Sequence, residues 1–144
     1  SLQKKIKLGD RVIVTGAVRG DGASPYYVQK NFSTVSHPDV VKALVGAAKS
    51  LKIRAHTGMV FTTDALFQET PEFLQELDQQ GIAAIDMVTS AFLTIAQVRG
   101  KRAAAILVVS DECLNGKMGF RHPRFLKAEQ KMGDVALKAI HFLR

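Results

Sequence analysis

A chain of 144 residues, 47% apolar and 23% charged, has the composition of one folded domain and excludes a disordered or low-complexity protein. Its net charge of +7 is carried by scattered Lys and Arg without an aromatic platform, so nucleic acid is not an expected partner; a solvated basic surface or attraction of a small anion accounts for it. The single cysteine, Cys113, excludes an internal disulfide and a cysteine-based metal site, and fits a reducing, cytoplasmic compartment.

In chain order, residues 1–10 (SLQKKIKLGD) lack the apolar stretch of a signal peptide. RVIVTGAV (11–18), β-branched and bounded by glycines, predicts a strand. Residues 20–37, rich in Gly, Ser, Pro, Asn and Tyr, predict a long irregular loop of the kind that often carries function. A helix start follows, with Ser36 as cap, Pro38 in the first turn and Asp39 complementing the dipole. Val41, Leu44, Val45, Ala48 and Leu51 form its apolar face. Residues 53–63 predict a second strand, and Thr70 to Gln80 a short amphipathic helix capped by Thr70, opened by Pro71 and stopped by Gly81.

A strand over 82–87, a largely buried helix over 88–98 and a buried strand over 103–110 come next. The last helix begins near Phe125, with Met132, Ala136, Ala139, Ile140 and Leu143 on one face. None of the apolar runs reaches the ~18 residues a transmembrane helix needs, so no membrane is expected. Strands alternating with helices predict one α/β domain over 1–144, a mixed sheet with helices on both faces. Ligands of such sheets lie beyond the carboxyl ends of strands, where Asp86 and Asp111 fall. The four histidines, His37, His56, His122 and His141, have no metal-ligand spacing and no G-x-S-x-G elbow is present, so from the residues alone the chain is an α/β domain with a strand-end site.

Three segments carry a resemblance. GDRVIVTGAVRGDGASPYY (9–27), HTGMVFTTDALF (56–67) and DMVTSAFLTIAQVRGKRAAAILVVSD (86–111) resemble, in that order, the R-x-D-G-A-S loop, the H-x-G-x-x-x-T-x-D strand and the E-M-E helix with its following Ser-Asp strand of the purine nucleoside and uridine phosphorylase family. The similarity runs along the whole chain. It implies a phosphorylase/hydrolase-like fold from which the N-terminal strands and a phosphate loop are missing, the chain resembling the C-terminal part of a longer protein.

The resemblance further implies reversible phosphorolysis of a nucleoside to free base and ribose 1-phosphate, with no metal or organic cofactor and phosphate as co-substrate. Asp111 matches the acid that protonates a purine at N7, with Ser110 as its supporting contact. Met87 and Asp86 match the sugar pocket, Leu66 and Phe67 the base-side aromatic position, and Arg124 or Arg121 would assist the acid. Arg19 is expected to organise the 20–37 loop or a subunit contact. Asp86-Met87-Val88 departs from E-M-E at Val88, which cannot bind a ribose hydroxyl. QETPEF (68–73) lacks the Gln-x-Arg pair of the uridine-cleaving branch, and Ser110-Asp111 stands where that branch has Asn-Arg-Thr, whereas AVRGDGAS (17–24) is closer to that branch; a purine is favoured, with uridine the alternative base. Members form dimers, trimers and hexamers, so a homo-oligomer is implied. A nucleosidase that uses water on adenosine thioethers, and a non-catalytic nucleoside-binding relative, are the alternatives.

Overall fold

The computed structural model describes residues 1–143. Four strands form the main sheet in the order β3-β2-β1-β4. They are β1 (Arg11–Gly20), β2 (Ala55–Thr63), β3 (Ala84–Asp86) and β4 (Ile106–Val108). β1, β2 and β3 run parallel, as connections through helices dictate, while β4 runs antiparallel on the free edge of β1. The sheet is therefore mixed. A bulge between Val14 and Gly16 shifts the β1–β2 register and adds twist at the middle of the central strand.

Helices cover both faces. α1 (Pro38–Ser50) and α4 (Pro123–Ile140) pack on one side around Ile13, Ala47, Val135 and Ala139. α3 (Thr89–Val98) closes the other, where Leu93 meets Val12, Val14 and Val60. Each of these fully buried valines contributes on the order of 1.5–3 kcal/mol relative to exposure. α2 (Pro71–Gln79) seals a smaller cluster with Leu74, Leu77 and Ile82. A two-stranded hairpin, β5 (Asp111–Glu112) with β6 (Lys117–Met118), follows β4.

Local signals set the helix ends, with one correction. Thr70 accepts the amide of Phe73, and Gly81 adopts φ +78° where α2 stops. At α1 the cap is His37, whose Nδ1 accepts the amide of Asp39 at 3.3 Å. Ser36, expected there, is buried, and its hydroxyl has no partner among the described residues. The reason is register: the amide of His37 is tied to the carbonyl of Ala103, which starts the helix one residue later.

Other expectations shift for tertiary reasons. The predicted strand over 103–110 keeps only three residues, and they are half-buried, because β4 is an edge strand rather than a central one. The strand over 82–87 likewise contracts to Ala84–Asp86. α3 is not largely buried: Thr89, Ser90, Leu93 and Thr94 face inward, and Phe92, Ile95 and Val98 are exposed. On α4 the inward stripe is Ala128, Met132, Val135 and Ala139, while Ala136 and Ile140 point out. Contact with α1 sets that phase, since residues four, three and four apart share one helix face. Arg19 behaves as anticipated, its guanidinium donating to the carbonyls of Gln29 and Phe32 at 2.9 and 3.1 Å and folding the loop back.

Candidate active site

Both edge strands, with Val12 of the central strand between them, line one cavity of about 400 Å³. The sheet must curve for edges so far apart in strand order to share a wall, and the bulge in β1 supplies curvature. Asp86 ends β3 level with Arg19, through Thr62, whereas Asp111 follows β4 beyond the position of Arg11. The two acids therefore do not share one rim of parallel strand ends, because β4 is reversed. They meet across the concave face, and both line the cavity.

Asp111 is held but not saturated. Ser110 Oγ donates to Oδ2 at 2.6 Å and the amide of Gly119 donates to Oδ1 at 3.0 Å. A carboxylate can accept about four hydrogen bonds, so lone pairs remain for a ligand. Gly119 is required for this approach: a Cβ there would lie 1.9 Å from Leu8 Cδ1 and 2.7 Å from the carbonyl of Ser110. Ser110 lines the cavity beside Asp111.

Asp86 is committed differently. It accepts from Thr62 Oγ1 at 2.6 Å, the amides of Val88 and Thr89 at 3.0 and 2.7 Å, and Thr89 Oγ1 at 2.5 Å. These bonds make it the side chain that closes the first turn of α3, whose own cap position, Val88, has none to offer. Met87 borders the cavity, half exposed, while Val88 is 65% exposed and outside it.

The base-side expectation divides. Leu66 lines the cavity; Phe67 is 100% exposed and does not. The aromatic wall comes instead from Phe120 and Phe125, edge to face with ring centres 6.1 Å apart. Arg124 departs from expectation: its guanidinium reaches the buried Asp10 at 3.4 Å, where His56 also bonds at 3.1 Å, rather than Asp111. Arg121 borders a separate shallow hollow beside His122.

Sequence reasoning missed Glu69, Glu129, Phe120 and Phe125 in the wall. The two phenylalanines flank His122-Pro123, an N-terminal helix signal that could have marked a structured turn after Asp111. Glu69 caps the short helical turn Leu66–Gln68, inside the 68–73 segment that the sequence reading weighed only for a Gln-x-Arg pair. Burial raises its carboxyl above the ordinary glutamate range, and the charge of Asp111 adds to this.

A second polar cluster lies outside the cavity. Asp21 is buried, and burial alone would push its carboxyl up. Ser90 Oγ, the amide and hydroxyl of Ser24 at 2.6 and 2.8 Å, and the amide of Ala23 at 3.0 Å outweigh that and hold it below the ordinary aspartate range. Ser90 also donates its amide to Thr62 Oγ1, linking Asp21 to Asp86. Among the described residues no group of three or more His, Cys, Asp and Glu is placed to hold a metal ion, and no helix is long and apolar enough to cross a membrane.

The chain is similar to known proteins along most of its length. A guanosine phosphorylase of Halorubrum lacusprofundi is 30% identical over 116 residues, covering 81% of this chain and 48% of that protein. A DeoD-type purine nucleoside phosphorylase of Roseobacter denitrificans is 30% identical over 142 residues, covering 96% of this chain and 59% of that protein. The crystal structure of a purine nucleoside phosphorylase from Toxoplasma gondii in complex with immucillin-H superposes with a TM-score of 0.86 at 30% identity, over 96% of this chain and 58% of that one. The chain thus spans about half the length of the curated relatives it matches. Residues 1–141 match the phosphorylase superfamily, and the chain belongs to that family.

Proposed function

We propose that the cavity is the base and sugar side of a nucleoside phosphorylase site, cleaving a purine nucleoside and phosphate to free base and ribose 1-phosphate. One observation carries the reading: a carboxyl fixed by Ser110 and Gly119, with spare acceptor capacity, faces an apolar and aromatic cavity of about 400 Å³ that has Met87 on its wall. A cavity of that size lies in the range of small-ligand pockets, ~300–1,000 Å³. The names of the similar proteins support the same reading.

In the proposed reaction a phosphate oxygen attacks the anomeric carbon as the bond to N9 breaks. The bonding electrons pass to the base and Asp111 delivers a proton to N7, so the base leaves neutral and the sugar leaves as an anionic phosphate monoester, while the proton that the phosphate gives up on attack restores the Asp111 carboxyl. General acid catalysis of this kind is worth roughly 10²–10⁴-fold. Leu66, Phe120 and Phe125 provide the apolar contact for the base, and Met87 packs against the sugar. Asp86 serves the sugar side by holding the first turn of α3 in place. The cavity wall contains no Lys or Arg among the described residues, so phosphate is met by groups beyond this wall.

Residues 1–143 act in this reading as one α/β domain of a cytoplasmic homo-oligomer. The reaction needs no metal or organic cofactor, phosphate being co-substrate. The test is base release by the whole protein from inosine, guanosine, adenosine, uridine and methylthioadenosine, with and without phosphate. Phosphate-dependent release establishes the phosphorylase. Release that ignores phosphate assigns a nucleosidase, and no release from a folded preparation assigns a nucleoside-binding relative.

A further inference from the structure

The hairpin after β4 holds Asp111 in place. Its strands pair Asp111 with Met118 and Glu112 with Lys117, and the amide of Gly119, the next residue, donates to Asp111 Oδ1 at 3.0 Å. Between the strands the chain makes a short helical turn, Cys113–Asn115, and leaves it at Gly116 with φ +62°. Asn115 and Gly116 are exposed, and a Cβ at Gly116 would meet nothing within 4 Å. The side-chain amide of Asn115 makes one long bond, 3.5 Å to Glu112 Oε2, and the Gly116 backbone amide is tied to the carbonyl of Cys113 at 3.1 Å. A three-residue turn on an exposed hairpin opens locally at little cost.

We propose that Asn115–Gly116 is a site of spontaneous deamidation whose product unseats the Gly119 donor from Asp111. The Gly116 backbone nitrogen, deprotonated by hydroxide, attacks Cγ of Asn115. A C–N bond forms, the bond from Cγ to Nδ2 breaks, and ammonia leaves with a proton from water. A second water opens the five-membered imide at either carbonyl, leaving aspartate or, with the backbone rerouted through the β-carbon, iso-aspartate. Glycine permits the attack because no side chain shields the nitrogen. Two other positions lack the combination. Asn31, the second asparagine of the chain, precedes the bulky Phe32. Asp21 precedes a glycine, but its carboxylate is buried and held by Ser24, Ser90 and Ala23, and the Gly22 amide donates to Asp64 at 2.6 Å. Iso-aspartate adds one backbone carbon to the four residues 113–116 between the paired strands, so Met118 and Gly119 lose register with Asp111. It also replaces an amide that donates to Glu112, which Lys7 and Lys117 pair at 3.5 and 3.6 Å, with a carboxylate that repels it.

The test incubates the whole wild-type protein, Asn115→Gln and Asn115→Asp in mildly acidic and mildly alkaline buffer. Tryptic mass spectrometry reads residues 103–117, and electron-transfer fragmentation separates iso-aspartate from aspartate. A gain of about 1 Da at Asn115, faster in the alkaline buffer and with Asn31 unchanged, is the expected result. Asn115→Gln should gain no mass, since its longer side chain would have to close a larger ring. Amide exchange at Gly119 should quicken as iso-aspartate accumulates, with circular dichroism unchanged, and base release should fall about 10- to 100-fold in the modified fraction. Asn115→Asp carries the charge without the extra carbon and should keep both the protected amide and the activity. Asn115 that keeps its mass, or converts no faster than Asn31, overturns the site. Iso-aspartate without quicker exchange at Gly119, or Asn115→Asp that alone reproduces the loss, overturns the link to Asp111. The fall in base release rests on the phosphorylase reading, whereas mass and exchange do not. Fresh protein that releases no base overturns that reading, and mass and exchange then decide the deamidation by themselves.

Discussion

Asp21 and Asp86 belong to one polar network, Asp111 and Glu69 only share a cavity wall, and the two regions treat their carboxylates in opposite ways. In the first, Ser24, Ser90, Thr62 and Thr89 surround the acids, and every donor is part of the chain. In the second, Asp111 has one partner per oxygen and Glu69 is held by none, while apolar and aromatic side chains fill the rest of the wall. A buried acid satisfied from within stabilises the fold and has little capacity left for a ligand. An acid left partly unsatisfied weakens the fold slightly and is available for chemistry. Under the proposed function, hydrogen-bond saturation separates scaffold from site better than position at a strand end does.

The sharpest way to break that contrast is Asp111→Asn. The side chain keeps its shape and its contacts with the chain but loses the proton, so base release should fall about 10²–10⁴-fold with little change in the denaturation midpoint. An unchanged rate in steady-state assays would return Asp111 to the scaffold.

Asp21→Ala should do the reverse. It strands the donors of Ser90, Ser24 and Ala23 and is expected to cost about 3 kcal/mol in urea unfolding. The pH dependence has a definite sign. The folded carboxyl lies below its ordinary value, so its contribution is present above the unfolded value near ~3.9 and is lost as pH falls through the folded one. The wild-type midpoint should therefore drop in acid below about pH 4, and Asp21→Asn should flatten that drop.

Asp86→Ala removes the closure of the first turn of α3 and should cost about 1–2 kcal/mol, with Asp86→Asn largely restoring it. A loss of turnover in Asp86→Ala without loss of stability would move Asp86 from scaffold to site. The smallest effects separate two neighbours. Leu66→Ala should raise KM by a few-fold, roughly the value of one partly buried side chain, whereas Phe67→Ala should leave KM and kcat unchanged. Val88→Glu, on a position outside the cavity, should likewise leave turnover unchanged; a gain in kcat/KM would show that this side chain reaches the sugar.

Much of this protein is written locally. Thr70-Pro71 and Gly81 mark both ends of α2 because caps and stops act within one turn of the backbone. Alternating strands and helices gave the fold class, and the Ser110-Asp111 pair stood out because adjacent residues need no tertiary contact to be recognised together. The antiparallel β4, the place of Leu66 on the cavity wall with Phe67 outside it, the diversion of Arg124 to Asp10, and the arrival of Glu69, Phe120 and Phe125 at one wall were not legible. Each depends on segments tens of residues apart being brought side by side. Sequence by itself determined the order of the main helices and strands and which acids punctuate them, since those are short-range preferences of the chain. Only the tertiary structure decided which acids are satisfied and which face the cavity, because that depends on how a curved sheet brings its two edges together.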